Sequence, residues 1–501
     1  MTTDNNQQSP QPQDELSITQ HGLSIGGCEL RYTATTGKLI LKAEVDGAKK
    51  DDDKPQDIEQ PKAAVFFTAY TLDANESIPE PDHRRSRPIA FAFNGGPGSS
   101  SVWLHLGLLG PRRVQMGEDG QMLQPPFDLV DNAYSLFDQT DLVFIDPVTT
   151  GYSRPVPGED AKQFHGFQPD IEWVGEFIRL YATRYRRWGS PKFLIGESYG
   201  TTRSAGLAGY LQERHGMYIN GILLISSILD FQTARFVPGN DLPFALFLPT
   251  YAATAWYHKR LSEDLQVDLG KTLAEAEAFA ENEYTLALMR GSRLQGEARE
   301  KIVAKLARLT GLNPAYLEAT DLRIQIHRFV KELLRDEGHT IGRLDTRFKG
   351  VDRDAAGESF EFDPSLSAIT GPYTAMLNDY VRSELEYESD LPYEILTGRV
   401  HPWSFETHQN QFVNVAETLR KAMSINPYLK VFVANGYFDL ATPYFATHYT
   451  FDHLGLDVSL RENISMTYYE AGHMMYIHQP SLVQLKDDMA AFIQSALPEQ
   501  T

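Results

Sequence analysis

The chain has 501 residues, of which 42% are hydrophobic and 23% are charged, a composition typical of a globular protein with a sizeable core. Its formal net charge of −21 at pH 7 disfavours contact with phosphate backbones, so we expect no nucleic-acid partner. The single cysteine, Cys28, excludes an intramolecular disulfide, as is common in proteins of reducing compartments.

The N-terminal region shows no targeting signal. Residues 1–16 are rich in Gln, Asn, Pro and Asp, which predicts a disordered segment. They contain neither a basic n-region nor an apolar h-region, and no stretch of the chain has the roughly 18 consecutive apolar residues that span a bilayer. We therefore expect no membrane partner and a cytoplasmic location, or a periplasmic or secreted one if a signal has been trimmed.

Strands and helices alternate along the chain. Residues 29–44 have alternating patterns on both sides of a Thr-Thr-Gly-Lys turn, which predicts a hairpin that turns at residues 35–38. Short apolar runs follow, typical of parallel strands buried on both faces, and residues 171–186 between two of them predict an amphipathic helix. The runs are PIAFAF (88–93), DLVFID (141–146), KFLIG (192–196), GILLISS (221–227) and LKVFVAN (429–435). The rhythm predicts an α/β fold with a parallel sheet.

A long insertion separates the fourth run from the fifth. About 200 residues lie between them, which is too many for a simple crossover, and much of this stretch has helical periodicity. We therefore predict a helical cap formed by residues 235–395. The core is then formed by residues 17–234 together with residues 396–501.

The segment Gly196-Glu197-Ser198-Tyr199-Gly200 matches the G-x-S-x-G pattern of a nucleophile elbow. A predicted strand precedes it, and a predicted helix rich in Ala and Gly follows it. In such an elbow the serine occupies a strained turn, and larger flanking residues would clash with neighbouring elements. The sequence therefore predicts a serine hydrolase with Ser198 as the nucleophile.

The partners of this serine are expected later in the chain, in the order acid and then histidine. Asp439 lies just beyond the strand that ends near Asn435, and His473 lies in an Ala-Gly-His turn after another predicted strand. His478 is a rival base. We favour His473 because the preceding glycine allows a tight loop.

Five blocks of sequence, in the same order, resemble those of the serine carboxypeptidase family. That resemblance implies an α/β-hydrolase fold, with a central, mostly parallel sheet and an inserted helical cap, and a Ser198–His473–Asp439 triad. The mechanism that it implies requires no cofactor and no metal. The blocks are NGGPGSSS (94–101), DPVTTGYS (146–153), GESYG (196–200), the segment around Asp439, and AGHM (471–474).

The resemblance also implies an activity, the removal of single residues from peptides with a free C-terminus. The oxyanion hole maps to the backbone amides of Gly96 and Tyr199. The substrate's terminal carboxylate maps to the side chains of Asn94 and Glu197 and the amide of Gly95. Because Glu197 would face another carboxylate, one proton must be shared, which predicts that peptidase activity is greatest at about pH 4–6.

The sequence departs from the family pattern near this subsite. Leu108 stands where the family usually has a second glutamate. Arg203, after the elbow, is either a substitute carboxylate ligand or a charge on the helix surface, and we favour the surface charge. Three aromatic residues are candidates to line the pocket, namely Trp103, Tyr152 and Tyr251.

Two other functions remain open from the sequence. One is an esterase or acyltransferase that uses the same triad, and the other is a catalytically silent binding or chaperone-like protein of the same fold. We favour the peptidase because every member of the triad is present. The oligomeric state is open as well, with a homodimer as one option.

Overall fold

The computed structural model describes residues 12–44, 59–74 and 84–498. The strands are β1 (Glu15–Ile25), β2 (Cys28–Glu44), β3 (Glu59–Leu72), β4 (Ile89–Phe93), β5 (Arg112–Val114), β6 (Leu129–Asp131), β7 (Asp141–Ile145), β8 (Arg154–Pro155), β9 (Lys192–Ser198), β10 (Gly221–Ser227), β11 (Thr340–Ile341), β12 (Lys349–Gly350), β13 (Lys430–Gly436) and β14 (Ile464–Tyr469). All but four of them join one sheet, because β5 pairs only with β6 and β11 only with β12.

Helices cover this sheet and fill the long insertion. Those of eight or more residues are α1 (Phe167–Arg184), α2 (Tyr199–His215), α3 (Leu242–Tyr257), α4 (Leu269–Phe279), α5 (Gly296–Thr310), α6 (Pro364–Ser383), α7 (Ala416–Ile425), α8 (Tyr444–Asp452) and α9 (Gln479–Ser495). Shorter α-helices are Val102–Leu104, Glu263–Gln266, Thr285–Arg290, Pro314–Ala319 and Ile326–Glu332, and π-helices are His105–Leu109 and Ala280–Tyr284. Turns of 3₁₀-helix are Leu136–Asp138, Ala161–Phe164, Phe231–Ala234, Gly291–Arg293, Arg335–Glu337, Gly398–Val400, Glu406–His408, Val458–Asn463 and Met475–Ile477.

The large sheet is mostly parallel. Its strands lie in the order β1-β2-β3-β7-β4-β9-β10-β13-β14, with β8 paired to β3. The six strands from β7 to β14 in this order pair in parallel, whereas β1, β2 and β3 add an antiparallel edge. This arrangement confirms the predicted parallel sheet.

The two faces of the sheet carry separate apolar cores. Along β4, Ile89, Phe91 and Phe93 belong to one core, and Ala90 and Ala92 belong to the other. Every residue of β4, β7 and β10 is buried, because packed layers cover both faces. This burial explains why the apolar runs in the sequence are continuous and do not alternate between apolar and polar residues.

The N-terminal hairpin turns at a different place from the one predicted. β2 continues through residues 35–38, and the turn lies at Gly26 and Gly27, whose φ values of 57° and 81° suit glycine. Gly37 stays inside β2, where an added Cβ would lie 1.9 Å from the backbone oxygen of Glu15 in β1. The Thr-Thr-Gly-Lys prediction was wrong because this glycine allows two strands to approach closely.

The start of β1 also bears on the predicted disordered segment, residues 1–16. β1 begins at Glu15, so the last two residues of that segment belong to a strand. Residues 1–11 lie outside the described part of the chain.

The helices α3 to α6 occupy the stretch predicted as a cap, residues 235–395, between β10 and β13. The apolar core of α3, α4 and α5 also includes Phe438, Leu440 and Tyr444, which follow β13, whereas buried apolar residues of α6 belong to a core on one face of the sheet. Insertion and sheet are thus joined beside Asp439, and the domain boundaries stay a prediction. In the described ranges, no helix combines the length and the apolar character needed to cross a membrane.

Candidate active site

Ser198 occupies a sharp turn from strand to helix. It ends β9 and directly precedes α2, with φ 60° and ψ −129°, a backbone conformation that is costly for a residue other than glycine. A Cβ on Gly196 would lie 2.2 Å from the Gly200 oxygen, and one on Gly200 would lie 2.7 Å from the Phe93 oxygen. The two glycines of the motif therefore let the elbow pass between neighbouring backbones.

His473 and Asp439 form a buried pair. Nδ1 of His473 lies 2.7 Å from Oδ2 of Asp439, and the two residues are 4% and 0% exposed. Asp439 also accepts hydrogen bonds from the amides of Ala441 and Thr442, at 2.7 and 3.1 Å, and from the Thr442 hydroxyl at 2.7 Å. The backbone amide of His473 donates to the Leu344 oxygen at 2.7 Å. These bonds hold the imidazole in one orientation.

Ser198 and His473 line the same cavity, of about 360 Å³. Within the described ranges the Ser198 hydroxyl makes no hydrogen bond, so the structure joins His473 to Asp439 and leaves the serine open to a ligand. His478, the rival base, hydrogen-bonds the Ser481 hydroxyl at 2.8 Å and does not line this cavity. The structure therefore places Ser198 and His473 on the wall of one cavity and leaves His478 outside it.

The loop after β4 presents backbone amides to the elbow. An added Cβ on Gly95 would lie 2.4 Å from the Tyr199 nitrogen, so only glycine fits this approach. Tyr199 is the first residue of α2, where amides have no partner within the helix, and the Gly96 amide makes no hydrogen bond in the described part of the chain. Both residues line the cavity, and their backbone amides are the candidate donors to a ligand there.

This loop is braced from the far side. The amide and the hydroxyl of Ser101 both donate to Oδ1 of Asp146, each at 2.8 Å. Burial raises the pKa of Asp146 to about 6. The second and first sequence blocks are thus joined through a carboxylate that is structural in this position.

A second polar group in the cavity is suited to a carboxylate ligand. Asn94 is 1% exposed; its Oδ1 accepts from the Leu104 amide at 3.0 Å, while its Nδ2 has no partner among the described residues. Burial, against opposing hydrogen bonds, raises the pKa of Glu197 to about 7. An unpaired buried donor and a carboxyl that holds its proton are groups that bind an anionic oxygen.

The pKa of His473 reflects the same neighbours. Burial by itself lowers it, but the charges of Asp439 and Glu197 and the hydrogen bond that Nδ1 donates to Asp439 outweigh burial and raise it above the usual value. Ionisation of either His473 or Glu197 therefore favours ionisation of the other.

Arg203 corrects the sequence prediction. It is 1% exposed, and its Nε lies 2.8 Å from Oδ2 of Asp170. Its Nη1 donates to the backbone oxygen of Asn94 at 2.6 Å. It is neither a surface charge nor a ligand in the cavity, because α2 packs this face against α1. Its partner, Asp170, lies 33 positions away in the chain, so no local sequence pattern predicted this ion pair.

Other residues near the subsite were missed or left open by the sequence. Leu108 is fully buried in the apolar core and does not line the cavity, whereas Trp103 does. Tyr152 and Tyr251 belong to apolar cores. The hydroxyl of Tyr476 donates to Oε2 of Glu197 at 2.6 Å, and no sequence pattern pointed to that contact.

Among the residues that the structure describes, no three or more His, Cys, Asp or Glu side chains are grouped so that they could hold a metal ion.

Comparisons with known proteins show the family of the chain. The family model for serine carboxypeptidases matches residues 59–484. The chain belongs to the serine carboxypeptidase family. Membership confirms the resemblance and the predicted enzyme class, a serine-type carboxypeptidase. A search of curated protein sequences gives no match.

A solved structure supports the fold of this family member. The prohormone-processing carboxypeptidase Kex1(delta)p of Saccharomyces cerevisiae is 16% identical, with a TM-score of 0.54, over 92% of this chain and 91% of that one. A proline iminopeptidase of Mycobacterium smegmatis is 11% identical, with a TM-score of 0.34, over 95% and 98%. At such identities the first match shows the fold alone, which is the predicted α/β-hydrolase fold.

Proposed function

We propose that the protein hydrolyses the C-terminal peptide bond of peptides, with Ser198 as nucleophile, His473 as base and Asp439 as its partner. The observation that supports this most is a shared cavity. It places Ser198 and His473 beside the unpartnered amide of Asn94 and the Glu197 carboxyl. An esterase has no need of such a carboxylate subsite.

Acylation begins when Ser198 Oγ attacks the scissile carbonyl carbon. His473 takes the hydroxyl proton at Nε2, while Asp439 accepts the Nδ1–H bond and stabilises the imidazolium. The carbonyl electron pair moves to oxygen, and the amides of Gly96 and Tyr199 donate to this oxyanion. The carbon–nitrogen bond then breaks, and His473 gives its proton to the leaving amine.

Deacylation repeats these steps with water. His473 takes a proton from the water molecule, whose oxygen attacks the acyl carbon bound to Ser198. The new tetrahedral oxyanion collapses, the ester bond to Ser198 breaks, and the serine oxygen recovers its proton from His473. No cofactor takes part in this scheme.

Recognition of the free C-terminus uses the other end of the cavity. Asn94 Nδ2 and the Gly95 amide donate to the terminal carboxylate. Glu197, protonated below about pH 7, donates as well, and this avoids repulsion between two ionised carboxylates. A peptide with an amidated C-terminus loses these contacts.

One comparison separates this proposal from the two alternatives. A blocked dipeptide acid, its C-terminal amide and a p-nitrophenyl ester are assayed together, and Ser198 is labelled with a fluorophosphonate. We expect cleavage of the acid at least tenfold faster than of the amide, and labelling that Ser198→Ala abolishes. Labelling with cleavage of the ester alone would favour an esterase or acyltransferase, and no labelling would favour a silent binding protein.

A peptide-library digest followed by mass spectrometry tests the position of cleavage. Stepwise loss of single C-terminal residues supports the proposal, and internal cleavage contradicts it. The cytoplasmic location and the oligomeric state stay predictions.

A further inference from the structure

Tyr476 is the residue in hydrogen-bond contact with Glu197 at the carboxylate subsite. Its hydroxyl donates to Oε2 of Glu197 at 2.6 Å, and the two residues are 1% and 3% exposed. Tyr476 lies in the 3₁₀ turn Met475–Ile477, directly after the loop that carries His473. One short segment therefore supplies both the proposed base and a partner for Glu197.

The backbone opposite Tyr476 is shaped to accept its ring. A Cβ on Gly107 would lie 2.5 Å from Cε2 of Tyr476, so the ring rests on the glycine itself. Leu108, at the position of the family's second glutamate, turns into the apolar core that also contains Tyr476. The segment of Gly107 and Leu108, where the family's second glutamate would lie, thus packs against the phenol ring of Tyr476.

We propose that Tyr476 is a positioning residue that takes the role of the missing glutamate, by holding Oε2 of Glu197 so that Oε1 carries the proton donated to the peptide's terminal carboxylate. This inference rests on the proposed function. A second carboxyl would share a proton with Glu197, whereas a phenol donates one hydrogen bond and keeps its own proton. Burial raises the pKa of Tyr476 well above its usual value, so it stays a donor.

Tyr476 also affects the pH at which Glu197 ionises. Burial raises the pKa of Glu197, as does the charge of Asp439, whereas the charge of His473 and the hydrogen bond from Tyr476 lower it. Removal of the Tyr476 hydroxyl therefore leaves burial less opposed and raises the pKa further. A side chain with only a packing role would leave that pKa unchanged.

The test compares Tyr476→Phe with Tyr373→Phe. Tyr373 is equally buried, its hydroxyl also faces Gly107, and it donates no hydrogen bond to Glu197. For a blocked dipeptide we expect Tyr476→Phe to raise KM about tenfold and to move the alkaline limb of kcat/KM up by about one pH unit. Hydrolysis of a p-nitrophenyl ester, which has no terminal carboxylate, should stay within about twofold. Tyr373→Phe should leave the limb in place.

A spectroscopic measurement separates this inference from the proposed function. Infrared difference spectra, with Glu197→Gln to assign the band, report the protonated Glu197 carboxyl as pH changes. A higher midpoint in Tyr476→Phe, together with the shifted kinetic limb, supports the proposal. Cleavage of peptides with neither change would overturn it while the proposed function stands. Failure of the wild-type enzyme to cleave any peptide would overturn both, whatever the infrared midpoint.

A second variant protects the test if Tyr476→Phe does not fold. Gly107→Ala keeps the hydroxyl but places a methyl group against the Tyr476 ring. We expect the same direction of shift in the kinetic limb and the infrared midpoint, because the phenol is displaced from Glu197. An unchanged midpoint in a folded Gly107→Ala enzyme that still cleaves peptides would contradict the proposal.

Discussion

Arg203 and Asp170 form an ion pair that is buried behind the cavity, with 2.8 Å between Nε and Oδ2 and side chains that are 1% and 2% exposed. The same guanidinium donates to the backbone oxygen of Asn94, whose side chain faces the cavity. It also lies over the rings of Phe93 and Tyr199, at 5.2 and 5.5 Å. One residue of α2 thus joins α1, the loop after β4 and the elbow.

Removal of Arg203 should destabilise the fold. Arg203→Met leaves Asp170 buried without its counter-charge, and we expect a loss of about 3–5 kcal/mol in the free energy of unfolding. Urea denaturation at pH 7 measures this loss. In the control Arg328→Met, whose partner Glu358 is largely exposed, we expect little change. Equal midpoints for the two variants would show that the buried pair contributes no more than a surface pair.

Asp439→Asn should reduce catalysis far more than stability. An asparagine that accepts from neighbouring amides presents the wrong group to Nδ1 of His473, so the imidazole loses the tautomer that it needs as a base. We expect kcat to fall by about 10⁴-fold on a blocked dipeptide. Thr442→Val, which removes one donor to Asp439, is the matched control and should cost about tenfold or less. A similar kcat for Asp439→Asn and the wild type would exclude Asp439 from the triad.

Peptidase activity should decrease as the pH rises through about 7. The pKa of Glu197 is raised to about 7 by burial, so its neutral form, which accepts a carboxylate nearby, exists below that pH and is lost above it. A pH profile of kcat/KM on the dipeptide acid should show this limb, and Glu197→Gln should remove it. On the acid side, the raised pKa of His473 removes the neutral base as the pH falls. Because the pKa of Glu197 is about 7 and that of His473 is raised, the two limbs favour an optimum at about pH 7, above the pH 4–6 predicted from the sequence, which stays a prediction. A limb that persists in Glu197→Gln would assign it to another group.

The charge of the cavity predicts a preference among peptides. Arg235 and Arg343 line it, and Glu197 is the only carboxylate among the lining residues that the structure describes. We expect blocked dipeptides with Glu or Asp next to the scissile bond to exceed those with Lys by about tenfold in kcat/KM at low salt, and by less at high salt. Parallel assays at two ionic strengths measure the ratio, and Arg343→Gln should reduce it. A preference for Lys would show that these arginines do not face the substrate.

Local patterns in the sequence were sufficient for the elbow, the order of the proposed triad and the parallel strands. Gly196 and Gly200 flank Ser198 because close backbones leave no room for a side chain at either position. This requirement involves residues that are near each other in the chain, so a local sequence pattern is enough to detect it. Each apolar run overlaps a strand between β4 and β13, since burial on both faces demands continuous apolar sequence.

Only the tertiary structure decided the contacts between distant residues. Arg203 and Asp170 are 33 positions apart in the chain, and Tyr476 and Glu197 are 279 positions apart. Neither contact can therefore be predicted from a local sequence pattern. The hairpin turn at Gly26 and Gly27, rather than at residues 35–38, was likewise decided by which strand lies beside β2. The physical reason is that these contacts depend on how helices, loops and strands pack around the apolar cores, and packing is a property of the whole chain.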